Sequence, residues 1–268
     1  MAGSRATSGR PSRGVVTGNM DIARAAARRL EHFDRRVPDP AAVVADPEQG
    51  YAIQAEVARL RQQRGESVIG YKVGCTSAAT QRLMGIDSPI FGRLFEGERW
   101  SSGVVLSRER FLPLAFEGEL AVRLGADLPG KADGETVLAC VESVFAVIEL
   151  HHFPYREGGP SAAELIASNG VHAGFVVADG GAKLDPGPTS LSIEIDGRAA
   201  AAVSGPELTR AVAASLTWLA RELPSRGERL RGGDTILCGT VAPLLPAPEA
   251  REVSVTTDRF GSVRCGFE

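Results

Sequence analysis

The chain carries Leu112-Pro-Leu-Ala-Phe-Glu117-Gly-Glu119-Leu-Ala-Val-Arg-Leu124, an apolar run with two carboxylates inside it. A second run, Val144-Phe-Ala-Val-Ile-Glu149-Leu150, holds a third. Residues i and i+2 of a strand share a face, so Glu117 and Glu119 are expected to point the same way. A buried carboxylate is costly unless it is paired or bound to a cation. No basic partner is evident beside the three acids, which favours a hard divalent metal such as Mg²⁺.

The composition narrows the class of protein. The chain has 268 residues, of which 43% are apolar, so it can bury a sizeable core. Its 31 glycines and 16 prolines imply many turns and favour a strand-rich fold. A net charge of −3 argues against a nucleic-acid partner. No run reaches the roughly 18 apolar residues of a membrane span, so no membrane contact is expected.

The cysteines and the N-terminal segment bear on the cellular setting. The four cysteines are far apart and form no CxxC pair, which excludes a disulfide framework or zinc motif and favours a reduced, cytoplasmic setting. Residues 1–20 contain three arginines, no acid and no apolar signal core. We predict that they form a disordered tail or precede a true start at Met20, with a transit peptide as the alternative. Residues 21–268 are expected to form a single domain.

Hydrophobic periodicity predicts helices that alternate with strands. Asp21–Phe33 is amphipathic, and the pattern predicts helices at 51–64, 76–84, 135–142, 161–168 and 206–223 as well. Strands are predicted at 68–73, 103–106, 116–124, 144–150, 174–177, 190–195, 235–239, 252–256 and 262–267. Residues 88–92 and 151–160 are predicted to be loops. Asp196-Gly197 indicates a hairpin turn.

Several motifs occur in a characteristic order. They are Gly70-Tyr-Lys72-Val-Gly74-Cys-Thr76-Ser77, Gln81, Gly85-Ile-Asp87, Pro89-Ile-Phe-Gly92, and later Trp218-Leu219, Gly227, Gly233-Asp234 and Gly239-Thr240. In this order they resemble the fumarylacetoacetate hydrolase superfamily, in particular the 2-keto-4-pentenoate hydratases and 4-oxalocrotonate decarboxylases of aromatic meta-cleavage pathways. The resemblance covers roughly residues 20–268. It implies an α+β fold, a fumarylacetoacetate hydrolase-like mixed β-sheet or β-roll with a helical N-terminal part, and a homo-oligomer.

The resemblance implies a site for a 2-oxo acid. Glu117, Glu119 and Glu149 fall where that branch holds Mg²⁺ or Mn²⁺, although Glu117 and Glu119 could also form a solvated strand face. Lys72 falls on an active-site lysine, which would bind the substrate carboxylate or transfer a proton. Its alternative is an ordinary surface lysine.

Six residues are expected to line the substrate pocket. They are Thr76, Ser77, Arg93, His151, His152 and Thr240. Thr76 and Ser77 could instead only cap the helix that follows them. The two histidines are expected to line the pocket or to contact the metal ligands rather than to bind the metal, because the family uses oxygen ligands.

Three positions depart from the hydratase pattern. Ile90 stands where hydratases carry an aspartate, His152 replaces an acid after the third metal ligand, and Ser168 stands in a segment that reads Ala-Asp-Asn in the family. These departures favour decarboxylation of a 4-oxalocrotonate-like substrate over 2-keto-4-pentenoate-type hydration. An acylpyruvate C–C hydrolase and a catalytically inert ligand-binding paralogue remain as further alternatives.

Overall fold

The computed structural model describes residues 19–38, 44–111, 113–153, 155, 159–185 and 187–268. The predicted tail therefore lies outside the described residues, apart from Asn19 and Met20 at the start of the first helix. None of the described helices is long and apolar enough to cross a membrane.

Helices dominate the N-terminal part. In chain order the helices are α1 Asn19–Arg35, α2 Pro47–Gln63, α3 Ala78–Met84, α4 Gly134–Cys140, α5 Ala162–Ala167 and α6 Glu207–Glu222. Helix α2 begins four residues before the predicted start, because Asp46 accepts a hydrogen bond from the Gln49 amide (2.8 Å) and Pro47 occupies the first turn. Buried Ala26 and Ile53 place α1 and α2 in one apolar cluster with α5.

Strands form two sheets. In chain order they are β1 Val68–Gly74, β2 Ile90–Phe95, β3 Arg99–Ser101, β4 Val104–Leu106, β5 Leu114–Leu124, β6 Val141–His152, β7 His172–Val177, β8 Thr189–Ile195, β9 Arg198–Gly205, β10 Thr235–Leu237, β11 Leu245–Pro246, β12 Glu252–Thr257 and β13 Ser262–Phe267. The larger sheet has the order β2-β1-β10-β5-β6-β7-β3, with β11 beside β5. The smaller has the order β4-β13-β12-β8-β9. This mixed α+β architecture confirms the predicted fold class.

The two sheets pack closely against each other at Gly118. A Cβ atom there would lie 2.8 Å from Ile193 Cδ1 and 2.9 Å from Val255 Cγ2, so only glycine fits between Glu117 and Glu119. The smaller sheet includes the predicted hairpin, in which Asp196 and Gly197 both have positive φ and join β8 to β9.

Two predicted loops are each wrong at one end. Residues 90–95 form the fully buried strand β2, although Pro89 and Gly92 indicated a loop. Gly92 is needed because a Cβ atom would lie 2.8 Å from the Asn169 carbonyl oxygen. His151 and His152 belong to β6, which continues two residues beyond the predicted strand and so adds His151 to the site.

Candidate metal centre and adjoining cavity

Strands β5 and β6 bring the three acids together. Their antiparallel register sets Glu117 directly opposite Glu149, and Glu119 opposite Val147. Cross-strand neighbours on one face lie within side-chain reach of each other. Glu119 and Glu149 are buried and Glu117 is half-buried. The predicted solvated strand face is therefore not what the geometry shows for Glu119.

His151 completes a compact group of donor atoms. Its Nε2 lies 3.2 Å from Glu117 Oε2 and 3.7 Å from Glu149 Oε2. One donor atom from each of Glu117, Glu149 and His151 can be chosen so that all three lie within 4.8 Å of one another. A histidine nitrogen therefore faces the same space as the carboxylates, which the sequence analysis did not expect.

Basic groups face Glu149 from distant strands. Lys72 Nζ on β1 lies 3.3 Å from Glu149 Oε1, and His172 Nδ1 at the start of β7 lies 2.7 Å from the same oxygen. The expectation that the acids lack a basic partner is therefore wrong. Both partners come from other strands of the sheet, so they are not visible beside the acids in the sequence.

Burial and neighbouring charges shift the pKa values of Glu119 and Glu149 in opposite directions. Burial and the neighbouring carboxylates Glu149 and Glu117 raise the pKa of Glu119 well above its ordinary value. Burial opposes the charged form of Glu149 too, but Lys72 and the nearby histidines outweigh it and lower the pKa of Glu149. Burial likewise opposes the Lys72 ammonium, yet the carboxylates, Glu149 foremost, raise its pKa. Lys72 thus stays charged at neutral pH.

The donor set fits a divalent cation. Glu119 Oε1 and Glu149 Oε2 are buried and have no hydrogen-bond partner among the described residues. Unsatisfied buried carboxylate oxygens are costly unless a cation completes them. Oxygen donors suit Mg²⁺, and the added imidazole suits Mn²⁺ as well.

The predicted pocket residues do not all lie together in the structure. Ser77 is exposed and its hydroxyl accepts a hydrogen bond from the Thr80 amide (3.1 Å), so it caps α3. Thr240 donates to the Gly118 carbonyl (3.1 Å) and so ties its loop to β5. Gly239 donates its amide to Glu119 Oε2 (3.0 Å), and a Cβ there would meet Thr76 Cγ2 at 2.6 Å. Thr76 thus packs against Gly239, whose amide binds Glu119, and Thr240 is the next residue along the chain.

A cavity of about 50 Å³ adjoins the cluster, between α1, α2, β2 and residues 167–172. His152 and Arg93, two of the residues expected to line a substrate pocket, line this cavity. The Arg93 guanidinium already contacts Gln54 Oε1 (2.6 Å) and Glu228. His172 lines the cavity as well, so one imidazole ring borders both the cavity and Glu149.

Sequence reasoning missed Arg29 and did not foresee that His172 contacts Glu149. Arg29 lines the cavity from α1, on which charged residues are common and carry no local signal. His172 precedes the predicted strand and is separated from Glu149 by 23 positions. Only the pairing of β6 with β7 brings it to the acid.

Comparisons with known proteins show similarity to two kinds of enzyme. No family model matches the chain. The 2-keto-4-pentenoate hydratase of Burkholderia vietnamiensis is 28% identical over 221 residues, which cover 81% of this chain and 84% of that protein. The 4-oxalocrotonate decarboxylase of Pseudomonas putida is 26% identical over 259 residues, covering 93% and 98%.

Solved structures show the same fold. The 4-oxalocrotonate decarboxylase of Pseudomonas putida G7, complexed with magnesium and adipate, superposes with a TM-score of 0.86 at 22% identity and covers 95% of this chain and 100% of its own. Fumarylpyruvate hydrolase of Pseudomonas aeruginosa, in complex with Mn²⁺ and pyruvate, gives 0.54 at 16% identity and covers 74% and 88%. The chain is therefore similar in sequence to 2-keto-4-pentenoate hydratases and 4-oxalocrotonate decarboxylases, and it shares the fold of these solved structures.

Proposed function

We propose that the chain is a lyase that requires Mg²⁺ or Mn²⁺ and decarboxylates an unsaturated, 4-oxalocrotonate-like 2-oxo acid. The observation that carries the proposal is the buried group of Glu117, Glu149 and His151 beside the Lys72 ammonium. The relatives, which are hydratases and decarboxylases, and the structural neighbours that hold magnesium or Mn²⁺ support it.

Glu117, Glu119 and Glu149 would hold the metal, with His151 as an added nitrogen donor. When bound, the metal supplies a Lewis acid that stabilises negative charge on the 2-oxo group. Glu119 would give up its proton on binding, since its pKa is raised in the absence of a cation. Oxygens of the substrate would complete the coordination.

Lys72 is proposed to act as a cation and proton donor. Its ammonium is buried and its pKa is raised, so it carries its proton at neutral pH and cannot serve as a base. In decarboxylation the bond to the remote carboxylate breaks, CO₂ leaves, and the electron pair passes by conjugation to the 2-oxo group. Lys72 would bind the carboxylate next to that group or return a proton to carbon.

Ile90 favours decarboxylation over hydration. A Cβ atom on Gly74 would lie 3.4 Å from Lys72 Nζ and 3.6 Å from Ile90 Cγ1, so Ile90 lies beside the lysine. Ile90 is buried and apolar, and hence no carboxylate at this position can activate a water molecule. The match to a 4-oxalocrotonate decarboxylase covers 93% of this chain, which supports the same choice. Hydration remains the second candidate, since hydratases are equally similar in sequence.

The direct test is incubation with 4-oxalocrotonate and, separately, with 2-hydroxypenta-2,4-dienoate in the presence of Mg²⁺ or Mn²⁺. We expect release of CO₂ from the first and little hydration of the second. Hydration of the dienoate without CO₂ release would overturn the preference. An acylpyruvate serves as a third substrate, because His172 and Glu149 form a buried histidine–carboxylate pair of the kind that can activate water.

Replacement of a proposed metal ligand distinguishes a metal-dependent enzyme from a catalytically inert paralogue. Glu119→Gln removes one ligand charge and should abolish turnover and weaken Mg²⁺ binding measured by calorimetry. Glu194→Gln makes the same chemical change at an exposed position of β8 and should leave both unchanged. Full activity in Glu119→Gln would refute the ligand assignment, and no Mg²⁺ binding by the unchanged chain would favour the inert paralogue.

A further inference from the structure

The cavity beside the metal centre contains a buried guanidinium that has no carboxylate partner among the described residues. Arg29 on α1 is only 8% exposed and lines the cavity. Its Nη1 donates to the Ser168 hydroxyl, and it also hydrogen-bonds the Tyr155 hydroxyl. Among the described residues no Asp or Glu lies within ion-pair distance of Arg29. A buried charge that meets only neutral hydroxyls is costly unless a ligand supplies the opposite charge.

The other guanidinium groups of the cavity are neutralised. Arg61 pairs with Glu66 and with Glu98 (2.8 Å), and Arg93 pairs with Glu228. Within the part of the chain that the structure describes, Arg29 therefore leaves one positive charge facing a cavity of about 50 Å³. A cavity of this size holds a few water molecules or one carboxylate group.

Ser168 contacts Arg29 across 139 positions of the chain without bringing a charge to it. An aspartate at this position would lie beside the guanidinium and form an ion pair with it. The serine hydroxyl accepts a hydrogen bond but brings no charge, so the guanidinium can still attract an anion.

The segment that carries Ser168 also reaches the metal centre. A Cβ atom on Gly170 would lie 2.7 Å from Lys72 Cε, so the segment packs against the active-site lysine. His172, at its end, contacts Glu149 and lines the cavity. The His172 side chain thus lies between the cavity in front of Arg29 and the proposed metal ligand Glu149.

We propose that Arg29 binds a second carboxylate at the far end of the substrate, and that Ser168 sets this specificity by leaving the guanidinium charge uncompensated. The 4-oxalocrotonate-like substrate proposed above is a 2-oxo acid with a carboxylate at both ends, and we infer here which residues bind its far carboxylate. This inference rests on the proposed function, because the metal centre must hold the 2-oxo end.

Binding of two saturated acids of equal length tests the inference. 2-Oxoadipate carries a second carboxylate and 2-oxohexanoate does not. Dissociation constants are measured by calorimetry with and without Mn²⁺. A charge-assisted, desolvated contact should make the diacid bind at least about tenfold more tightly. Both Ser168→Asp, which neutralises Arg29 internally, and Arg29→Gln should bring the ratio close to one.

Ser262→Asp is the matched control, because it adds the same charge at an exposed position of β13 and should keep the tenfold preference. Binding of 2-oxohexanoate and the melting temperature report whether each variant is folded; if Ser168→Asp does not fold, Arg29→Gln decides. A ratio near one in the unchanged chain, or a preference that persists in the folded variants, overturns the inference alone. If neither acid binds in a Mn²⁺-dependent way, the proposed function fails and the inference with it.

Discussion

At the scale of single residues, Lys72 and the metal compete for the same acid. Lys72 Nζ lies 3.3 Å from Glu149 Oε1, and both groups are buried. A cation bound by Glu149 is repelled by that ammonium, and repulsion is strong where water is excluded. Lys72→Met should therefore bind Mn²⁺ several-fold more tightly while losing turnover. Calorimetry and the decarboxylase assay measure the two effects, and weaker metal binding in the variant would contradict this account of the cluster.

His152 gives the protein a predictable sensitivity to acid. Burial, the charge of Arg36 and His151 lower its pKa from 6.5 to about 4. Between these pH values His152 is protonated in the unfolded chain but neutral in the folded chain. The free energy of unfolding therefore falls as the pH drops from about 6.5 towards 4. Between pH 7.5 and pH 5 this single group should remove about 2 kcal/mol of stability.

Urea unfolding of the unchanged chain and of His152→Gln at these two pH values measures the effect. The variant lacks the titrating group, so its loss of stability over the same interval should be about 2 kcal/mol smaller. Equal losses in the two proteins would show that His152 is not responsible.

At the scale of secondary-structure elements, Gly70 allows β1 to lie against β10. It has φ of +149°, and a Cβ atom would lie 1.8 Å from the Thr235 carbonyl oxygen. An alanine there must push the two strands apart, two residues before Lys72. We expect Gly70→Ala to lower the free energy of unfolding by at least about 2 kcal/mol and to reduce activity.

Gly134→Ala is the matched control for that change. A Cβ atom at Gly134 would have no neighbour within 4 Å, and this residue begins α4 without positive φ. Its stability should change by less than about 0.5 kcal/mol. Similar effects of the two substitutions would show that the contact between β1 and β10 does not limit stability.

At the scale of the whole molecule, metal binding should stabilise the fold, since the proposed ligands come from two strands of the larger sheet. A ligand at one hundred times its dissociation constant contributes about 2.7 kcal/mol. For a chain of 268 residues this corresponds to a rise of about 5 °C in melting temperature. Scanning calorimetry with Mn²⁺ should show the rise in the unchanged chain and in Glu194→Gln. Its persistence in Glu149→Gln would place the metal elsewhere.

The sequence by itself determined the fold class and the side of the sheet on which the acids lie. The period of two along a strand places Glu117 and Glu119 on one face, and the apolar run before Glu149 indicates burial. The order of the glycine-rich motifs carried the family resemblance. These features are local, because they depend on neighbours within a few positions.

Only the tertiary structure decided which charges meet. Lys72 and His172 reach Glu149 from β1 and β7, and Arg29 reaches Ser168 across 139 positions. The strand at 90–95 likewise depends on Asn169, whose backbone fills the space above Gly92. A local pattern determines the face on which a side chain lies, whereas its partner depends on which distant strand or helix packs there. For this reason the acids were predictable, whereas their basic partners and the contact between Arg29 and Ser168 were not.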